Sequence, residues 1–412
     1  MSRLKKDKII NDPIYGFVQI EKGIIFNLIE HPFFQRLRRI SQLGLSYLVY
    51  PGASHNRFHH AIGCVFLMNK AIDQIRKKGH IITGKEAEAV CIAILLHDIG
   101  HGPFSHTLEK NIVDNTTHET LSLLFMQELN EQFKGKLSLA IQIFKDEYKK
   151  KFLHQLVSSQ LDMDRLDYLK RDSFYSGVQE GVIGTERIIN MLNVVDDYLV
   201  IEEKGIYSIE KFLIARRLMY WQVYLHKTVL SAENTLIKTV NRAKELILEG
   251  KEVFATPALL FFLENKFRKK DFENNPKLLH QFAKLDDHDI LSSLKQWTTD
   301  DDTVLALLSN MIINRKLLKV KIQQKPFSKQ EISKHKKEVM KRLKITKEKA
   351  DFFVFSEKVS NSAYSYEKAK INILMKDGSI KELKDASDQL LNKMISKKVN
   401  KFFLCYPDIK QL

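Results

Sequence analysis

The sequence predicts a mainly α-helical body followed by a small α+β C-terminal appendage. Apolar residues recur at helical spacing up to about residue 320, strand-like runs are few in that stretch, and the pattern changes after about residue 325. The expected division is a core over 1–250, a helical extension over 251–325 and a small α+β domain over 326–412. One helix is expected from Arg57 to about Lys77, before a Gly79/Gly84 break. A second runs from about Lys85 to Asp98 and is stopped by Ile99-Gly100-His101-Gly102-Pro103. Further amphipathic stretches cover roughly 117–133, 136–147, 151–170, 185–194, 207–231, 232–249, 256–266 and 288–311. Tyr198-Leu199-Val200-Ile201 followed by Gly205-Ile206-Tyr207 reads as one small hairpin. In the appendage, Phe352 to Phe355 is strand-like, and Lys370 to Met375 and Ser379 to Leu383 flank a Lys376-Asp377-Gly378 turn. A helix at about 387–397 and a last strand at Lys401 to Cys405 complete it.

The 412 residues are enough for a large buried core, and 44% apolar with 28% charged residues is an ordinary globular balance. The start, MSRLKKDKII, has basic residues but no apolar run behind them, so no signal peptide is expected. The apolar stretch from Val90 to Leu96 is far short of the roughly 18 residues a membrane span needs. Cys64, Cys91 and Cys405 have neither metal-type spacing nor a disulfide framework, which suits a reducing cytoplasm. The net charge of +16 fits a nucleic-acid binder, a membrane-surface protein or an enzyme of polyphosphates. A solvated Lys-rich surface explains it equally well. Basic residues are densest from Arg315 to Lys349, yet no RNA-recognition, helix-turn-helix or zinc-finger pattern accompanies them, so nucleic acid is possible but not required.

Eight of the fourteen histidines fall between residues 55 and 118. A lone His on an apolar face is more often a satisfied core residue than a ligand, but the group is harder to dismiss. His97-Asp98 end a buried helix directly before a Gly-rich turn, where burial without a partner is expensive. A metal or a tight ion pair resolves that cost. Mixed imidazole and carboxylate ligands suit Fe, Mn, Zn, Ni or Mg. The acidic run Leu161-Asp162-Met163-Asp164-Arg165-Leu166-Asp167-Tyr168 offers a further ligand, with Asp162, Asp164 and Asp167 as rivals.

The ordered motifs resemble the HD phosphohydrolase superfamily and, within it, the deoxynucleoside triphosphate triphosphohydrolases, including dGTPase-like enzymes. They are Asn11-Asp12-Pro13-Ile14-Tyr15-Gly16, Phe34-Gln35-Arg36-Leu37-Arg38, Gln42-Leu43-Gly44, Pro51 through Phe58, His97 through His106, Asp164 through Tyr168 with Arg171-Asp172, and Tyr224-Leu225-His226-Lys227. The resemblance runs from about Asp12 to about Lys319 and makes residues 1–250 an HD core. It implies His60, His97, Asp98 and Asp164 as ligands of a divalent metal whose identity it leaves open. It further implies catalytic parts for His101, His106, and a His118–Glu119 pair in which the carboxylate orients the ring.

By the same resemblance, Arg57, Arg165 and Arg216 clamp a triphosphate, Gln42 and Asp172 meet the sugar 3′-hydroxyl, and Tyr168 and Leu43 exclude a 2′-hydroxyl. Tyr224 belongs to the same site. So does Tyr220, which stands where mammalian members have His. The expected reaction is hydrolysis of a deoxynucleoside triphosphate to deoxynucleoside and triphosphate, by attack of metal-activated water on the α-phosphorus. The rivals are HD hydrolysis of a 5′-monophosphate or (p)ppGpp, and a nucleic-acid-binding regulatory protein. Lys8, Glu30, Gln35, Arg38, Arg315 and Lys319 match positions that hold an activating nucleotide between subunits of mammalian members. That match implies allostery in a homo-oligomer, a dimer or a homotetramer.

Overall fold

Capped helices build the centre of the molecule. In the computed structural model, which describes residues 7–361, 370–387 and 399–412, the Arg57–Lys77 helix has the bounds expected from sequence. Asn56 accepts from the backbone N–H of His59, and the His59 ring returns to the Asn56 backbone, closing a capping box. The Gly84–Leu96 helix starts in a second box, Thr83 with Glu86, and is buried along most of its length. These two helices pack together, and the Met163–Ser176 helix packs on the first. At Gly63, where the Arg57–Lys77 and Met163–Ser176 helices meet, a Cβ would run into the Asp167 carboxylate and the Arg171 guanidinium, so glycine permits the approach.

Several expected helices are interrupted. The 151–170 stretch is two helices, Lys151–Val157 and Met163–Ser176, because Asp162 turns inward to cap the second. The 288–311 stretch likewise divides into Asp287–Trp297 and Thr303–Ile313, the latter capped by Asp302. The 207–231 stretch runs as Ile206–Met219, passes through a π-helical turn at Tyr220–Tyr224, and resumes as the long Lys227–Leu248 helix. The helix expected over 185–194 stops at Asn190.

Among the described residues nine strands form three sheets. An N-terminal hairpin pairs β1 (Lys8–Asp12) with β2 (Gly16–Ile20), and Asp12 Oδ1 accepts from the backbone N–H groups of Ile14 and Tyr15 in its turn. The expected hairpin at 198–207 is corrected: β4 (Tyr198–Glu202) pairs backwards with β3 (Leu192–Val195), while Ile206 and Tyr207 begin a helix. The hairpin at 370–383 forms as β7 (Asn372–Leu374) and β8 (Ile380–Glu382). β7 also pairs in parallel with β4, giving the order β3-β4-β7-β8 and placing Ile371 and Ile373 in the main core.

The third sheet has the order β5-β9-β6, from Lys319–Gln323, Val399–Tyr406 and Phe355–Asn361. Together with the unanticipated Lys329–Leu343 helix it surrounds a second core of Leu308, Phe353, Leu404 and neighbours. Phe352 to Val354 lie in the turn before β6 and not in a strand. The helix expected at about 387–397 lies outside the described residues beyond Ser387. Among the described residues no helix is long and apolar enough to cross a membrane.

Candidate active site

His60 projects from the first turn of its helix, His97 and Asp98 follow the last turn of the next, and Asp164 lies in the first turn of a third. Their polar atoms converge. His60 Nε2 lies 3.2 Å from Asp164 Oδ1 and 3.6 Å from Asp98 Oδ2. His97 Nε2 lies 3.4 Å from Asp98 Oδ1 and 3.6 Å from Asp164 Oδ1.

Each ring is fixed from behind. His97 Nδ1 is 2.6 Å from the carbonyl of Ile94 and therefore carries the proton, leaving a lone pair on Nε2. That Nε2 is buried with no hydrogen-bond partner among the described residues. His60 Nδ1 lies 2.7 Å from Asp167 Oδ2, and Asp167 is gripped by Arg171, which also bonds Asp12.

These contacts separate the three rival aspartates. Asp162 caps a helix and pairs with Arg165, Asp167 orients His60, and Asp164 faces the cluster. Burial opposes ionisation of Asp98, but Arg57, His97 and His101 hold its carboxyl well below the usual range. Burial opposes it at Asp164 too, and His60 and His97 have the same lowering effect there. Cys64 Sγ sits 3.5 Å from His60 Nδ1, and burial pushes its thiol far up, so it contributes no thiolate. Two imidazole lone pairs and two ionised carboxylates, one nitrogen buried and orphaned, fit a borderline-to-hard divalent cation.

Beside the cluster, three further histidines pack as a group. His101 stacks on His118 at 3.9 Å between centroids, and His106 meets both rings edge-on. Burial, with the charges of Arg57 and His118, keeps His101 neutral well below the usual His range. The group that orients these rings is Glu109. It accepts from the backbone N–H of His118 at 2.6 Å and lies 2.8 Å from His118 Nδ1 and 3.2 Å from His106 Nδ1. Glu119, the partner expected from sequence, is on the other side, 3.5 Å from His118 Nε2 with its side chain 62% exposed. Glu109 follows His106 by three residues at the start of a short helix, a spacing that could have suggested it.

The loop bearing His106 is backbone-strained: Phe104 and Ser105 have φ of 55° and 53°. Asp287, a second residue the sequence did not suggest, braces it by accepting from the backbone N–H groups of Phe104 and Ser41.

A cavity of about 530 Å³ opens over these groups, and all nine residues expected to touch substrate line it. Arg57 bonds Asp98 and, at 2.9 Å, Ser105 Oγ. Asp172 receives the Tyr224 hydroxyl at 2.7 Å and contacts His55 at 2.7 Å. Arg216 bonds Gln160, and Tyr220 lies edge-on to Tyr224, both within the π-helical turn.

The six residues expected to hold a regulatory nucleotide lie elsewhere. Lys8 pairs with Glu30, Gln35 accepts from Arg38 at 2.8 Å, and Arg38 sits over the Phe58 ring. Arg315 donates to the carbonyl of Leu48, and Lys319 pairs with Asp408.

A helical body that gathers an adjacent His-Asp pair and two further ligand-type residues into one cluster, with its two carboxylates on the wall of a cavity, defines an HD-type hydrolase. Residues 57–172 match the HD domain model and residues 183–257 the HD associated region. An uncharacterized protein, YwfO, of Bacillus subtilis is 34% identical over 397 residues, spanning 92% of this chain and 88% of its own. A crystal structure described as a phosphohydrolase from Bacteroides thetaiotaomicron is 54% identical, has a TM-score of 0.95, and covers 98% of this chain and 100% of that one. The deoxynucleoside triphosphate triphosphohydrolase SAMHD1 homolog of Dictyostelium discoideum is 30% identical over 297 residues. That match covers 67% of this chain but only 57% of the Dictyostelium enzyme. The chain belongs to the HD-domain family of phosphohydrolases.

Proposed function

We propose that the protein hydrolyses deoxynucleoside triphosphates to deoxynucleoside and triphosphate, with His60, His97, Asp98 and Asp164 holding a divalent metal. The observation that carries this reading is the cavity itself: Asp98 and Asp164, the two carboxylates of the cluster, and the histidine group line it together with Arg165, Arg216 and the Tyr168–Tyr224 pair, while His60 and His97 lie directly behind those carboxylates. A divalent cation there supplies charge neutralisation on the phosphoryl oxygens and acidifies an attacking water. Arg165 and Arg216 bind the phosphate chain through guanidinium forks. Hydrolysis at the α-phosphorus breaks the bond to the 5′ oxygen, which needs a proton as it leaves. His106, with Nδ1 anchored on Glu109, supplies that proton from Nε2. Gln42 and Asp172 position the 3′-hydroxyl, while Tyr168 and Leu43 crowd C2′.

Incubating the protein with Mn²⁺ and each of the four deoxynucleotides, then resolving products by anion exchange, tests the reading. Triphosphate and deoxynucleoside are expected, with ribonucleotides slower by on the order of a hundredfold. Release of orthophosphate or pyrophosphate alone would instead favour another HD reaction.

Regulation belongs to the same proposal. Lys8, Arg38, Arg315 and Lys319 supply cations, and Glu30 a carboxylate, for a nucleotide held between subunits of a homo-oligomer, a dimer or tetramer. Light scattering with and without GTP, dGTP or dATP is expected to show mass and rate rising together, and Arg315→Glu to abolish both rises. A constant mass and unchanged kinetics would reject the regulatory site.

A further inference from the structure

Glu233 is a carboxylate on the cavity wall that none of the steps above uses. It lies on the Lys227–Leu248 helix, which packs against the segments Ser46–Leu48 and Ser105–Thr107. Its position is fixed relative to the sugar gate, because a Cβ built on Gly44, the neighbour of Leu43, would lie 3.1 Å from Glu233 Oε1 and 2.9 Å from Thr107 Oγ1. Gly44 has φ of +50°, so a side chain is excluded there both by strain and by space. The backbone beside Leu43 is thereby left bare, and the carboxylate comes up to it.

If the deoxyribose lies against Leu43 and Tyr168, as the proposed function requires, its base continues along this bare strip toward Glu233. From these positions we infer that Glu233 reads the nucleobase and selects guanine; the inference rests on the triphosphohydrolase reading of the same cavity. A carboxylate only accepts hydrogen bonds. Guanine alone among the four bases presents two adjacent donors on one edge, N1–H and the N2 amino group, and so meets both oxygens at once. Adenine and cytosine offer a single donor beside an acceptor, and thymine a single donor between two acceptors. Burial pushes the Glu233 carboxyl up to about 7, with only a hydrogen bond from Thr107 pulling the other way. A ligand with two N–H donors therefore supplies what the ionised form lacks.

The test compares kcat/KM for dGTP, dATP, dCTP and dTTP in the wild type and in Glu233→Gln. The expected result is a wild-type preference for dGTP that falls by roughly ten- to a hundredfold in the variant, with the other three changed much less. An equal loss for all four would make Glu233 a brace for the Gly44 loop and overturn the inference. Should the variant fold poorly, the wild type decides alone, because dITP lacks the 2-amino group and should be a poorer substrate than dGTP by about tenfold. Equal rates would overturn the inference. Failure of the underlying reading looks different: none of the triphosphates is turned over. Competition binding of dGTP and dITP themselves, which are not turned over in that case, then decides the role of Glu233, equal affinities rejecting it and weaker dITP binding supporting it.

Discussion

The two ends of the cavity are held in different ways. At the His97 end four rings have a fixed partner behind them, Ile94 O for His97, Asp167 for His60 and Glu109 for His106 and His118, and the buried nitrogens without a hydrogen-bond partner among the described residues, His97 Nε2 and both of His101, belong to rings beside Asp98. At the other end the buried atoms without such a partner belong to side chains expected to bind substrate: Gln42 Oε1, Arg165 Nε and Arg216 Nε. Buried polar atoms without partners are rare in folded proteins. The contrast separates two tasks. In the proposed function one end is preorganised for chemistry, and the other offers spare hydrogen-bonding capacity to a polar ligand.

The largest effect should come from the preorganised end. Asp164→Ala or His97→Ala is expected to lose bound metal and to reduce turnover by roughly a thousandfold or more, since a metal contributes several kcal/mol to such a transition state. Metal analysis beside steady-state kinetics checks it, and undiminished hydrolysis by a metal-free variant would break the comparison. Glu109→Gln should follow with a fall in kcat of about a hundredfold and little change in KM, because it positions rings without touching the ground-state ligand. A change confined to KM would move Glu109 to the binding end.

The two ends were unevenly legible in the sequence. The Arg57–Lys77 helix was legible because local capping sets its start and a glycine its end. The His-Asp pair was legible because it closes an apolar helix before a Gly-rich turn. Glu109, Asp287 and Asp167 were not assigned their bracing roles, because an acidic residue shows no sign of which donor it will meet across the fold. The π-helical turn at Tyr220–Tyr224 has no local signature, and it is what swings both tyrosines along the cavity wall. The misplaced hairpin has a similar cause. Asp196 and Asp197 both take left-handed conformations in the tight turn, φ 51° and 63°, in a sequence lacking the glycine that usually announces one. The pairing of β4 with β7 joins residues some 170 apart, beyond any periodicity argument.

A smaller effect tests how the helix carrying His97 and Asp98 is anchored. Glu86, in its capping box, contacts Lys150, Tyr148 and Thr83. Burial raises its pKa, but those contacts outweigh it and lower the carboxyl from 4.5 to about 2. A depressed folded-state pKa gives stability that is complete above about pH 4.5 and is lost as pH falls toward 2. Urea unfolding should therefore show Glu86→Gln less stable than wild type by about 2 kcal/mol near pH 6, a gap that closes on acidification. A gap independent of pH would assign Glu86 a packing role only.

In the proposed function one metal centre, built by His60, His97, Asp98 and Asp164, performs the hydrolysis. Its most direct test is to strip the wild-type protein of metal, titrate Mn²⁺ back, and follow bound metal per chain and triphosphate release from dGTP in the same samples. The expected result is no release from the stripped protein and a rate that rises in step with occupancy, saturating near one ion per chain. Triphosphate release at full rate from the stripped protein, or a rate unrelated to occupancy, would contradict it.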